Sequence, residues 1–414
     1  MIRSEKLSFL LYISIAATLS LTYVFFHNLD KLIWSFSLSC RYTHAPISRI
    51  VDSILRDVPL IDGHDDFAIW LRVFHGNHID FNASSDLDGM VDFPRIRYGR
   101  LGAQFWSIYV PCPNYHNDFS SQTYFETIHD TLQQIDLINR LIAAFPSHLQ
   151  HAFSAADVQS NFKHNRQAVS SLMGAEGLHQ IGNSASVLRL YYRLGVRYVS
   201  LTHDCNNIYA DAALAARPVH GGLSDRGREV VREMNRLGML VDLSHTSDDT
   251  MRDVLKVTLA PVIFSHSNAR SLCDHPRNVP DDILDLIEEN GGVVMVTFYA
   301  AYTNCEAPAQ ASLDDVADHM MYIGRRIGFR HVGIGSDFDG MAGGPEGLED
   351  VSKYPNLVAA LVERGVNTRD IKDVISGNAL RVLAEAERVA EGISHVEPLE
   401  DNVKSMPHLP TSSL

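Results

Sequence analysis

His64 and Asp66 stand two positions apart, Glu176 precedes a glycine, and two Ser-His pairs place imidazoles at His245 and His266. Imidazole nitrogen and carboxylate oxygen are ligands that suit zinc, a borderline-soft cation with no redox chemistry of its own. A His-x-Asp pair at a strand end can turn both side chains to one side and grip one ion. Imidazoles ending two successive strands can hold a second ion, and Glu176 has an oxygen for each. About three protein ligands per ion leave positions open for a shared water, as a catalytic site requires. Taken singly, each feature has an ordinary explanation: His-x-Asp is commonly a hydrogen-bonded pair, and Glu-Gly can cap a helix. Their weight lies in their occurring together at strand ends, which depends on the elements that carry them.

From about residue 58, short β-branched or aromatic runs alternate with longer amphipathic stretches, the pattern of parallel strands joined by helices. Eight runs are predicted as strands, at 58–62, 103–110, 170–175, 197–201, 239–243, 261–264, 292–298 and 331–335. Helices are predicted over 188–194, 225–237, capped by Ser224, and 313–327. The pattern alone fits a closed barrel or an open doubly wound sheet. The polar residues choose between them, because ionisable groups follow six different runs and those ends converge on one mouth only if the sheet closes. The expected fold is therefore an α/β, (β/α)8 barrel of the metal-dependent hydrolase kind.

With 35 Lys plus Arg against 50 Asp plus Glu, the net charge of −15 argues against a nucleic-acid partner, whose phosphates call for a basic surface. Arg3 and Lys6 precede an uncharged stretch at 7–26, the length of one membrane span. The basic flank places the N-terminus in the cytosol and the rest of the chain in the lumen or outside. Cleavage of that stretch as a signal peptide is the alternative, and would give a secreted protein. The expected organisation is a cytosolic tail at 1–6, an anchor at 7–26, a linker at 27–57, a catalytic barrel at 58–390 and a tail at 391–414. Five cysteines suit an oxidising compartment. Cys40 stands near the anchor, either as a free thiol or as a link in a homodimer. Cys112, Cys205, Cys273 and Cys305 allow three pairings among themselves. Asn82-Ala83-Ser84 is a glycosylation sequon if the domain is exported.

The segments Leu60-Ile61-Asp62-Gly63-His64-Asp65-Asp66, Gly102-Ala103-Gln104-Phe105-Trp106-Ser107, Leu201-Thr202-His203, Pro261-Val262-Ile263-Phe264-Ser265-His266-Ser267, Arg277-Asn278-Val279-Pro280-Asp281-Asp282 and Gly335-Ser336-Asp337-Phe338-Asp339-Gly340 resemble the membrane dipeptidase (renal dipeptidase) family, in family order from about residue 58 to 386. The resemblance implies a zinc-dependent dipeptidase in which a hydroxide bridging two ions cleaves dipeptide substrates. It implies one zinc on His64, Asp66 and Glu176 and the other on Glu176, His245 and His266. It also implies that His203 stabilises the oxyanion, that Asp337 carries the proton from water to leaving amine, that Arg277 binds the substrate carboxylate, and that Cys112 pairs with Cys205 and Cys273 with Cys305. Read without the family, Arg277 is equally a surface loop residue, and Tyr299 and Tyr302 read as core packing rather than pocket lining.

The chain departs from the family pattern in two places. Asp65 replaces the usual Asn, which is expected to add a negative charge beside the metals. The tail at 401–414 lacks the apolar run of a lipid-anchor signal carried by vertebrate relatives, so attachment falls to 7–26. The rival readings are another two-metal amidohydrolase, lactonase or deaminase-like, and a non-catalytic membrane receptor on the same barrel.

Overall fold

The structure, a computed structural model, describes residues 46–113 and 117–402. The chain divides into two units, Met1–Arg49 and Ile50–Leu414, and the strands discussed below all lie in the second. They are β1 (Leu60–Asp65), β2 (Leu101–Ile108), β3 (Leu149–His151), β4 (Val169–Ala175), β5 (Val196–Ser200), β6 (Leu240–Asp242), β7 (Ile263–Phe264), β8 (Val293–Val296) and β9 (Val332–Ile334). Their order is β2-β1-β9-β8-β7-β6-β5-β4-β3, and β2 also pairs with β4, from Ala103 against Ser170 to Ile108 against Ala175. That pairing closes eight parallel strands into a barrel.

The eight predicted strands are these eight, with ends shifted by at most three residues. β1 shows the largest displacement, because the helix Ile47–Asp57 occupies the chain up to its start and the strand then runs on through His64 and Asp65. The short β3 was not predicted. It is a parallel partner for the opening of β4, Val169 to Ser171, and its Leu-Gln-His sequence carries no apolar run to announce a strand.

Strands such as β1, β2 and β4 are buried along their whole length, because helices cover the outside and side chains fill the inside. Ile61, Phe105, Leu172, Tyr198, Ile263 and Met295 come from six different strands and join one apolar cluster, so the interior is packed rather than open. The predicted helices are present as Ala185–Leu194, Asp225–Leu237 and Leu313–Ile327. Ser224 caps the second, its hydroxyl accepting from Gly227 N at 3.0 Å and so satisfying one amide that the first turn leaves unpaired.

Two disulfides join loops on the barrel, Cys112 to Cys205 and Cys273 to Cys305, the pairing that the family resemblance implied. The second closes a span of 32 positions, worth ~3 to 4 kcal/mol in chain entropy. Among the described residues no helix is long and apolar enough to cross a membrane. The predicted anchor at 7–26 and Cys40 lie outside the described residues. Asn82 of the sequon is exposed on a loop.

Gly174 on β4 faces Tyr198 on β5 as its register partner, and a Cβ at position 174 would fall inside the Tyr198 ring. The missing side chain is what lets this tyrosine lie across the barrel interior. Gly174→Ala is therefore expected to destabilise the protein by about 1 to 3 kcal/mol through overpacking, read as a lower urea midpoint at an unchanged slope. An unaltered midpoint would show that the ring is not confined there.

Candidate active site

The carboxyl ends of the strands meet at one mouth. Asp66, Glu176, His203, Asp204, His245, Asp337 and Arg277 line a pocket of about 380 Å3 there, within the ~300–1,000 Å3 usual for small-molecule sites. His64 and His266, both buried, lie beneath it. Glu176 is central. Its Oε1 is 2.9 Å from His245 Nε2, 3.3 Å from His266 Nε2 and 3.7 Å from His64 Nε2. His64 Nε2 is also 3.2 Å from Asp66 Oδ2, and His245 Nε2 and His266 Nε2 approach to 2.9 Å.

The partners behind these rings assign their protons. Tyr198 donates its hydroxyl to the Gly63 carbonyl at 3.1 Å, which leaves its oxygen to accept from His64 Nδ1 at 2.9 Å. Ser265 donates to Asp242 Oδ2 at 2.6 Å and accepts from His266 Nδ1 at 2.8 Å. Asp204 Oδ1 accepts from His245 Nδ1 at 3.0 Å. With each Nδ1 acting as donor, all three Nε2 atoms are turned toward Glu176, the arrangement that outer partners impose on metal-ligating histidines.

Lone pairs and carboxylate oxygens this close repel one another unless positive charge lies between them. Asp66 Oδ1 is buried with no hydrogen-bond partner, a further demand of the same sign. Burial, reinforced by Arg277 and the neighbouring imidazoles, holds His245 and His266 well below the usual histidine range and therefore neutral, as ligands must be. For His64, burial acts downward, yet Glu176 and Asp66 prevail and push it up to about 10, so the surrounding carboxylates draw positive charge to this place. Burial likewise raises Glu176 well above the carboxylate range and Asp337 up to about 7. The donors fit metal cations.

Ligand atoms lie within 4.8 Å of one another in three sets: His64 with Glu176 and His266, Glu176 with His203 and His245, and His64 with Asp66 and Asp337. These sets cut across the division implied by the family, since His64 and His266 are neighbours with ring centroids 3.8 Å apart. A fourth set, Cys112, His179 and Cys205, has both sulfurs taken up by the disulfide.

Two of the site residues hold strained backbone. His245 and Asp337 have φ of 69° and 70°, a region costing a residue with a Cβ roughly 1 to 2 kcal/mol. Asp337 N donates to the His64 carbonyl at 3.1 Å, tying the β9 loop to β1. A Cβ at Gly340 would collide with carboxylate oxygens of both Asp66 and Asp337, so glycine there makes room for the pair.

Arg277 is buried rather than on the surface. Its Nη2 lies 3.4 Å from the His266 carbonyl, while Nε and Nη1 have no hydrogen-bond partner. Its guanidinium sits 5.3 Å from the Tyr302 ring centroid. Tyr299 and Tyr302 stack at 4.5 Å and line the pocket, so the expectation of core packing is corrected: both follow β8 at the mouth, where the barrel interior ends. His203 is partly buried with its ring 4.3 Å from that of His245, and burial pushes it down to about 4, leaving a neutral ring that can donate one hydrogen bond.

Asp65 is not among the residues that line the pocket. It is fully buried, accepts from Phe67 N at 2.9 Å, and burial together with Asp339 and Asp62 raises it well above the carboxylate range. Tyr198 and Asp204 were missed in the sequence. Asp204 had a signal, being a carboxylate next to a site residue at a strand end; Tyr198, in mid-strand, had none.

A family model described as membrane dipeptidase (peptidase family M19) matches residues 48–397. The dipeptidase aclJ of Aspergillus oryzae is 57% identical over 357 residues, 86% of this chain and 84% of that protein. The dipeptidase tcpJ of Claviceps purpurea is 49% identical over 348 residues, 83% and 81% of the two. A metallopeptidase from Rhodobacter sphaeroides, solved with a phosphinate mimic of the dipeptide L-Ala-D-Ala, superposes with a TM-score of 0.70 at 26% identity, covering 80% of this chain and 99% of that one. A closed barrel with a metal-ready cluster at its mouth, matched over nearly its whole described length, places the chain in the membrane dipeptidase family, M19.

Proposed function

We propose that this metal-dependent dipeptidase works with two zinc ions, held by His64, Asp66 and Glu176 and by Glu176, His245 and His266. The observation that carries the reading is the convergence of three Nε2 atoms on Glu176 Oε1, beside a buried guanidinium with unpartnered nitrogens. Zinc suits the donors, and when bound it supplies a water acidified toward neutral pH and a polarised carbonyl.

The protein's own groups complete the chemistry. Asp337, raised to about 7 by burial, takes the proton of the attacking water and returns it to the leaving amine. His203 donates to the oxygen on which negative charge develops. Arg277 pairs with the free carboxylate of the substrate through two parallel hydrogen bonds. That pairing fixes the scissile bond as the one next to the substrate's carboxyl-terminal residue. A lactonase or deaminase substrate has no such carboxylate, and the unpaired Arg277 favours the peptidase reading over those.

Three outcomes are expected. His266→Ala loses metal at one site, measured by elemental analysis, and loses more activity than the ~10- to 100-fold that removing an outer partner costs; full metal content with normal turnover would refute the ligand set. Arg277→Ala lowers kcat/KM for free dipeptides by ~10- to 100-fold, chiefly through KM, and an equal loss on an amidated dipeptide would count against the carboxylate pairing. The segment 7–26 anchors the chain with its catalytic unit on the lumenal or outer side, which suits two disulfides. Protease added to sealed microsomes then spares that unit until the vesicles are opened, and cleavage in sealed vesicles would reverse the topology.

A further inference from the structure

The chain carries a net charge of −15, yet one groove on its surface is basic. Arg56, Arg97, Arg100 and Arg166 line it, about 390 Å3 in volume, and all four are exposed. The structure gives none of them an ion-pair partner among the described residues. Arg166 Nη1 donates to the Arg56 carbonyl at 2.7 Å, and its guanidinium lies 5.1 Å from the Phe162 ring centroid. Lys372, and after it Arg56 and Arg166, hold the Asp57 carboxyl below the usual carboxylate range, but its partner, at 2.6 Å, is Lys372. The floor of the groove is apolar, with Leu55, Phe93 and Ile96 all buried. Four like charges gathered over such a floor repel one another, and their planar forks match the oxygens of a phosphate. The complementary ligand is an anion with an apolar part.

The groove lies at the end of the barrel opposite the catalytic mouth. Arg100 directly precedes β2, His148 directly precedes β3, and Gln167 stands two positions before β4. Its walls are thus built at the amino ends of strands, as the active site is built at their carboxyl ends. Residues 50–57 lead into β1 at the same end. Arg56 follows the predicted anchor at 7–26 by 30 positions, a span of at most about 100 Å when fully extended. Tyr98, on the helix Phe93–Gly99 between Arg97 and Arg100, is 75% exposed, and aromatic rings beside basic residues suit a surface that meets lipid headgroups. A nucleic acid would call for a longer basic track than four arginines on an acidic chain. We propose that this groove docks on the phosphate-bearing headgroups of anionic phospholipids in the membrane that holds 7–26, which turns the catalytic mouth away from the bilayer. The inference rests on the reading of 7–26 as an anchor.

Hydrogen exchange tests this on the full-length chain reconstituted in vesicles of phosphatidylcholine alone or of phosphatidylcholine and phosphatidylglycerol in equal parts. Amides of residues 93–100 and 162–167 are expected to exchange at least ~5-fold more slowly in the mixed vesicles, the scale of what one arginine contributes near an anionic surface. Replacing Arg97→Gln and Arg100→Gln together should abolish the slowing, as should about 1 M salt, which cuts the screening length to about 3 Å. Both positions are exposed and at the other end of the barrel from the metals, so an unchanged kcat/KM for a dipeptide verifies that the double variant is folded. Equal exchange in the two kinds of vesicle, or slowing that survives the double substitution, would overturn the proposal. Slowing in phosphatidylcholine vesicles on addition of inorganic phosphate or polyglutamate would overturn it as well, assigning the groove to a soluble anion or to an acidic protein. A chain that does not stay with phosphatidylcholine vesicles would strike the anchor reading instead. Flotation of that chain and of its double variant with the mixed vesicles then decides the groove separately: loss of flotation in the variant supports it, and equal flotation overturns it.

Discussion

Imidazole lone pairs and carboxylate oxygens crowded around Glu176 Oε1 are the constraint on which the rest of the structure depends. In a buried setting such groups separate unless something behind each of them fixes its direction. The supports come from distant parts of the chain. Tyr198 reaches from β5 to His64 on β1, Asp242 at the end of β6 holds Ser265 beside His266, and Asp204 after β5 holds His245 after β6. Each support crosses between strands, so only a closed barrel brings the ligands and their supports into register together. Tyr198 is at once a core side chain and part of the site.

Backbone strain follows the same logic. His245 and Asp337 sit at positive φ where their loops leave the barrel, and both are buried and hydrogen-bonded in place. A loop free to relax would take the lower-energy conformation and turn these side chains away. Rigid strands on either side, together with Asp337 N bonded to the His64 carbonyl, hold the strain where the chemistry requires it.

Much of this was legible in the sequence, and for definite reasons. Strands buried on both faces appear as β-branched runs, so all eight barrel strands could be found, and residues that end such runs must stand at one rim once the sheet closes. That logic brings His64, Glu176, His245, His266 and Asp337 together. It fails where a residue's role depends on contacts across the barrel. Tyr198 reads as an ordinary strand former, and β3, with a single apolar residue among three, has no periodicity to detect. Nor does the formal charge at Asp65 reveal its burial, which raises that carboxyl well above the usual carboxylate range. Arg277 lay in a loop by every local signal, and its burial depends on how that loop folds back over the mouth.

Because β2 pairs with β4, every strand of the barrel has a hydrogen-bonded neighbour on each side. Among the described residues only β3, three residues long, ends the sheet with an unpaired edge. An edge so short offers another backbone little to zip onto. Self-association or a protein partner must therefore use the side-chain surfaces of helices and loops, and extension of the sheet from one molecule into the next is closed to this architecture.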